Sequence, residues 1–438
     1  MSKRLVVSLA AAVASVLVPQ GHAEDDAVVR ASRVYVKAAQ EAGKAGQTQA
    51  ALDAWLQAHA LRPQHGAIAF ELAAAYAAAG RMEDATEWLK VVGEMGFAFP
   101  TENREDLRAC RAQAACRDAL AALDRNRQPK VTSTVSFKLA APRLLPEGLA
   151  YDASRDSFFV SSVRQRLILR VDPSRQPHPF ADRSAGLWAA LGLAVDAPRN
   201  RLWVATAAMA EMADALPADE GKSSLVALDL ATGRAVARYD LPPGPPHVLG
   251  DVIVAPSGDV FTTDSTSPAL YRLPANGRAL EVMAAGEPFV SLQGLALSAD
   301  GKRIFVADYA KGVFAFDLES RRLRLLDAPR TAGILGIDGL YRVGESLIAV
   351  QNGTAPPRLL RLGVEAERIT SVEVLDAGHP SAPDPTLGVV VGDRFFYIGN
   401  SQWESARPGG QFDPAVPQAD PVILQVELVK AGGALTPR

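Results

Sequence analysis

PEGLAYD, residues Pro146 to Asp152, returns five more times in altered form: ALGLAVD from Ala190, LGDVIVA from Leu249, LQGLALS from Leu292, GIDGLYR from Gly336 and TLGVVVG from Thr386. Each copy is followed closely by a second apolar run: FFVSS, LWVAT, VFTTD, IFVAD, LIAVQ or FYIGN. Counted at Glu147, Leu191, Gly250, Gln293, Asp338 and Leu387, the steps are 44, 59, 43, 45 and 49 residues. Repeats of roughly 40 to 50 residues, each holding several short strands, are the mark of a β-propeller, and six blades are expected. The long step contains the stretch 208–222, which reads as a loop or short helix inserted between strands of the second blade.

At 438 residues the chain exceeds what one core usually holds, so two domains are expected. The division falls into a helical region, 24–127, and a propeller, 128–438, giving a mainly β fold class with a small α-helical domain in front. A net charge of -3 offers no footprint for nucleic acid or an anionic membrane surface. Residues 1–23 read as a secretory signal peptide: Lys3 and Arg4, an apolar run from Leu5 to Val18, and small residues before a cut after Ala23. The run falls short of the roughly 20 residues a membrane span needs, with an uncleaved anchor as the alternative. This predicts a mature chain from Glu24 in a bacterial periplasm or outside the cell, with no membrane insertion after cleavage. Such a compartment permits a disulfide between Cys110 and Cys116, provided that a turn interrupts the helix between them.

Within 24–127, Gly46, Ala51 and Trp55 recur 34 residues later as Gly80, Ala85 and Leu89. With Tyr76 and Pro63 the pattern resembles the tetratricopeptide repeat, implying stacked helix pairs capped by a helix or two from Glu102 to Leu123. Such a module either binds a protein partner in its groove or covers one face of the propeller. Trp55, Tyr76 and Trp88 are expected in its core. The strand Val131 to Leu139 is expected to close the propeller by pairing with the last blade beside Val422 to Leu428.

The first strand of each propeller blade lines the central channel, so the repeat brings Glu147, Gly250, Gln293 and Asp338 to one end of it. Two carboxylates and an amide oxygen form a hard site that suits Ca²⁺, Mg²⁺ or Mn²⁺ better than Zn²⁺. Asp251 adds a further carboxylate. Asp264, Asp308, Asn352 and Asn400 end the second strands and are expected to satisfy turn backbone. His247, in PPGPPHVLGD, lies four residues before Asp251 and is a candidate for substrate contact. Trp403, beside Gln402 in the long loop of the final blade, is a candidate cover for the channel.

PEGLAYD, LGDVIVAPSGDVFTTDS, LQGLALSADGKRIFVADY and IDGLYRVGESLIAVQN together resemble the blades of the SMP-30/gluconolactonase family, over about residues 144–428. That resemblance implies a hydrolase of sugar lactones or related esters using one divalent cation, Ca²⁺ foremost, with Mg²⁺ or Mn²⁺ the alternatives. It places metal ligands at Glu147 and Asp338, with Gln293 standing where the family has Asn. Gly250 stands where the family has another Asn and brings no side chain. Asp338 or Asp251 is then the general base, and Asp251, His247 and Trp403 are the substrate-contact candidates. The rival expectation is a non-catalytic pair of repeat domains that binds proteins or ligands.

Overall fold

The computed structural model describes residues 27–428, so the expected signal peptide lies outside the described residues. Four helices open it: α1 (Ala27–Lys44), α2 (Thr48–Leu61), α3 (Gly66–Ala78) and α4 (Met82–Glu94). Gly46 and Gly80 follow the first helix of each pair at φ of 71° and 76°, the left-handed conformation that a glycine adopts without strain as it ends a helix. Ala51 and Ala85 are buried where the helices approach, and Trp55 and Leu89 fill the space between them. Trp55 and Tyr76 lie in this core, but Trp88 lies at the seam with the propeller, where the guanidinium of Arg330 sits 3.8 Å from its ring.

Two short helices cap the stack, α5 (Arg108–Ala112) and α6 (Ala114–Arg125). Gln113 between them leaves helical geometry at ψ 135°. That is the turn the cysteine spacing requires, and Cys110 and Cys116 are bridged with their Cα atoms 5.3 Å apart.

Six four-stranded antiparallel sheets follow. Their inner strands, Pro146–Asp152, Ala189–Asp196, Leu249–Val254, Leu292–Leu297, Ile337–Val343 and Gly388–Val391, carry the six phrases. The second strands are packed between neighbouring blades on both faces. They are therefore buried throughout, as in Ser157–Ser162 and Val260–Asp264, rather than alternating. The sixth sheet takes its outermost strand from Thr134–Lys138, which pairs with Val422–Glu427 as the sequence suggests and removes the open edge.

The glycines of the phrases allow inner strands to crowd the axis. A Cβ on Gly148 would lie 2.2 Å from the carbonyl oxygen of Leu191, and one on Gly294 would lie 2.3 Å from the amide nitrogen of Leu340. In five inner strands the pairing register breaks where the phrase begins, between Pro146 and Leu149, Ala190 and Leu193, Leu249 and Val252, Leu292 and Leu295, and Ile337 and Gly339. A bulge re-aims the residue it carries, and here that residue is the one preceding the glycine or standing in its place.

The insertion at 208–222 is a loop with one 3₁₀ turn, Pro217–Asp219, between the second and third strands of blade 2. It meets the long loop of blade 6, where Gly409 N donates to Ala210 O at 2.7 Å. Leu191, Met212, Phe412 and Trp403 pack together beneath the two loops. The helical module docks on the loops of blades 4 and 5 at the end where the inner strands begin. Gln64 donates to Pro329 O at 2.9 Å, and Arg330 reaches Glu87 at 3.1 Å.

Candidate channel-mouth site

Glu147 and Asp338 meet at the channel mouth from blades 1 and 5. The indole N–H of Trp403 donates to Glu147 Oε2 at 2.7 Å, so the expected cover makes a direct contact. Asp338 Oδ2 accepts from Asn352 Nδ2 at 2.8 Å and from the Thr386 hydroxyl at 3.0 Å. Thr386 also favours ionisation of the Glu147 carboxyl, so its hydroxyl lies beside both acids. The Tyr309 hydroxyl donates to Asn352 Oδ1 at 3.0 Å. Asp384 accepts from Trp403 N at 2.8 Å and from Ser401 Oγ at 2.6 Å, which seats the covering loop.

The charges acting on these acids are other carboxylates. Burial and then Asp338 push the Glu147 carboxyl well above the ordinary carboxylate range. Asp338 is pushed up to about 6 by burial and by Asp384, against the hydrogen bonds from Thr386 and Asn352. Like charges held this close in a buried site do not both ionise freely unless a proton or a cation intervenes.

Asp251 lies deeper in the channel, where it lines a cavity of about 30 Å³ with Tyr341, Leu387 and the Leu149–Leu193–Leu295 ring. That volume holds about one or two waters. Burial, followed by the Asp338 charge, pushes the Asp251 carboxyl well up. Gln293 turns its amide toward Ser291, donating to the hydroxyl at 3.0 Å. Gly250 has nothing within 4 Å of where its Cβ would stand, so the blade 3 position is open space. His247 is held in its loop, with Nδ1 2.6 Å from Asp264 Oδ2 and its backbone N–H donating to Gly221 O at 2.9 Å. These hydrogen bonds lead to blade 3 and to the blade 2 loop, and not to Glu147 or Asp338.

Of the four strand-end residues, Asp264 and Asp308 accept from backbone N–H groups of the turns that follow them, as the sequence suggests, and Asn400 accepts from Val422 N at the start of the next strand. Asn352 departs from that expectation and belongs to the site. The visible signal was an Asn with both donor and acceptor where blades 3 and 4 carry Asp. Thr386, Asp384 and Tyr309 were not singled out from the sequence.

Among the described residues no three Asp, Glu, His or Cys side chains gather as a metal cluster. The acids at the mouth are Glu147 and Asp338 with Asp384 beside them, and the neutral groups held against Asp338 are the Asn352 amide and the Thr386 hydroxyl. Buried carboxyls whose ionisation is opposed by neighbouring carboxylates have the oxygen chemistry and the charge that suit a hard divalent cation.

Neither a protein family nor a curated protein matches the chain in sequence. Solved structures similar to it include a gluconolactonase from Xanthomonas campestris, at 18% identity and a TM-score of 0.44 over 67% of this chain and 95% of that one. The calcium-binding protein regucalcin from Agrobacterium tumefaciens is similar at 17% identity and a TM-score of 0.47, over 68% of this chain and 93% of that one. An aldose sugar dehydrogenase from Streptomyces coelicolor is similar at 14% identity and a TM-score of 0.45, over 68% of this chain and 99% of that one. The structural neighbours of this six-bladed propeller thus include gluconolactonase- and regucalcin-like propellers.

Proposed function

We propose that the protein is a divalent-cation-dependent hydrolase of a lactone or related ester, acting in the periplasm or outside the cell. The observation that carries this reading is the Glu147–Asp338 pair: the Asp338 charge opposes ionisation of the buried Glu147 carboxyl, and the Asp384 charge opposes that of Asp338. Glu147, Asp338 and Gln293 would hold the cation, while Asn352, its amide nitrogen on Asp338 and its oxygen accepting from Tyr309, orients Asp338. When bound, a cation there supplies charge neutralisation, polarisation of an ester carbonyl and a more acidic water. Asp338 is the general base, with one of its oxygens fixed by Asn352 and Thr386. Asp251 stands one layer deeper, where it receives and stores a proton. Trp403 covers the mouth and excludes water.

The test is the thermal midpoint of the full chain in EDTA and in millimolar Ca²⁺, Mg²⁺ or Mn²⁺. A cation at 100 times its Kd adds about 2.7 kcal/mol of stability. A rise in wild type that Glu147→Ala and Asp338→Ala both lack supports the site. No response to any cation overturns it. A second reading, a non-catalytic propeller that binds proteins or ligands, draws on the Trp403 contact that occupies Glu147. It predicts an unresponsive midpoint and no turnover of any lactone.

A further inference from the structure

Three contacts from the helical module land beside members of the channel site. Arg62 Nη2 donates at 3.3 Å to the carbonyl of Ala310, the residue after Tyr309. Gln64 grips the turn that leads into Asp338, donating to Pro329 O at 2.9 Å and accepting from Gly333 N at 3.2 Å. The third contact is Arg358, which is 2% exposed. Its Nη1 donates to the carbonyl of Met95 at the end of α4, its Nη2 to Gly333 O at 2.8 Å and its Nε to Gln351 Oε1 at 2.7 Å. The Phe97 ring lies 4.6 Å from the guanidinium carbon.

All the acceptors named for Arg358 are neutral oxygens. A buried cation satisfied this way is costly unless it holds several groups in one geometry, which the rigid guanidinium fork does. The carbonyl end of a helix adds partial negative charge. Gln351, gripped by that fork, donates to Gly333 O at 2.7 Å and to Leu335 O at 2.6 Å. The next residue is Asn352. Little slack separates these pieces: a Cβ on Gly353 would stand 2.6 Å from Gly336 Cα and 2.6 Å from the Tyr309 hydroxyl. A shift of the turn or of the loop is therefore passed to Asn352 and Tyr309.

We propose that the helical module is part of the channel site, with Arg358 as the positioning residue that locks Gln351 and the 333–336 turn so that Asn352 is set against Asp338. The cation-affinity arm of the test rests on the proposed function; the resonance arm does not.

The experiment compares full-length wild type with Arg358→Met, Arg358→Lys and Gln64→Ala, using Leu72→Ala in α3 as a control that unsettles the helical core alone. Asparagine-labelled protein reports the side-chain amide of Asn352, assigned by its loss in Asn352→Ala, and calorimetry reports the Kd for Ca²⁺. The expected result is a displaced Asn352 amide resonance and a Kd weakened about tenfold in Arg358→Met. Arg358→Lys is expected to restore part of both, and Gln64→Ala to show a smaller change in the same sense. Leu72→Ala lowers the midpoint but moves neither. An unmoved Asn352 amide in Arg358→Met, or in Gln64→Ala should the former not fold, overturns the proposal. If wild type binds no cation, the proposed function fails and the resonance still decides whether Arg358 positions Asn352.

Discussion

Blades 1 and 5 and blades 2 and 6 present the same backbone position to the channel mouth with opposite chemistry. Glu147 and Asp338 are the acids at this position, whereas Leu191 and Leu387, each 5% exposed, are apolar there, with Leu387 on the blade between the two acids. The four strands carry variants of one phrase. What the scaffold constrains is the glycine that follows, because a Cβ there would meet backbone at Gly148, Gly192 and Gly388 and the Tyr341 ring at Gly339. The preceding residue, carried on a bulge in blades 1, 2 and 5, is free to vary. Fold and chemistry are thus written at adjacent positions.

Breaking the scaffold half of this comparison should have the largest effect. Gly294→Ala puts a Cβ 2.3 Å from Leu340 N and is expected to lower stability by about 3 kcal/mol in urea unfolding. Gly250→Asn projects into open space and is expected to stay within about 0.5 kcal/mol of wild type while binding the cation more tightly. Equal losses from the two changes would mean that the phrase does not separate scaffold from chemistry.

A smaller effect sharpens the acidic side. The Asp338 carboxyl rises from an ordinary 3.8 to about 6. Between those values the folded chain keeps a proton that the unfolded chain has released, so in EDTA stability falls as pH rises through about 4 to 6 and stays low above it. Below both values the two states are equally protonated and the difference vanishes. Asp338→Asn should flatten the fall, and Glu147 should account for a remainder of the same sign. A saturating cation should also flatten it by favouring the carboxylate, whereas Leu191→Ala should leave the slope unchanged. A slope that survives Asp338→Asn intact would assign it to other acids.

The propeller was legible because its constraint is local and repeated. Each phrase became an inner strand, the 208–222 excess became a loop in blade 2, and Val131 to Leu139 contained the closing strand. Glu147 and Asp338 were legible because the repeat puts equivalent positions on one axis. Asn352, Tyr309, Thr386 and Asp384 come from strand ends and loops whose convergence depends on how blades 5 and 6 meet. Asn352 occupies the position of Asp264 and Asp308, which brace the turns after them, yet it reaches Asp338 instead. His247, prominent in its proline-rich loop, proved to be tied to Asp264. The docking of the helical module through Arg358 left no periodic trace in the sequence.

The most direct measurement is proton release from a small set of lactones in a pH-stat at neutral pH, with cation-loaded wild type beside Asp338→Asn and Leu191→Ala. The account predicts turnover by wild type that EDTA abolishes, a loss of at least about a hundredfold in Asp338→Asn, and retention in Leu191→Ala. Turnover unaffected by EDTA, or equal in wild type and Asp338→Asn, would contradict the assignment of the channel-mouth acids as the hydrolytic site.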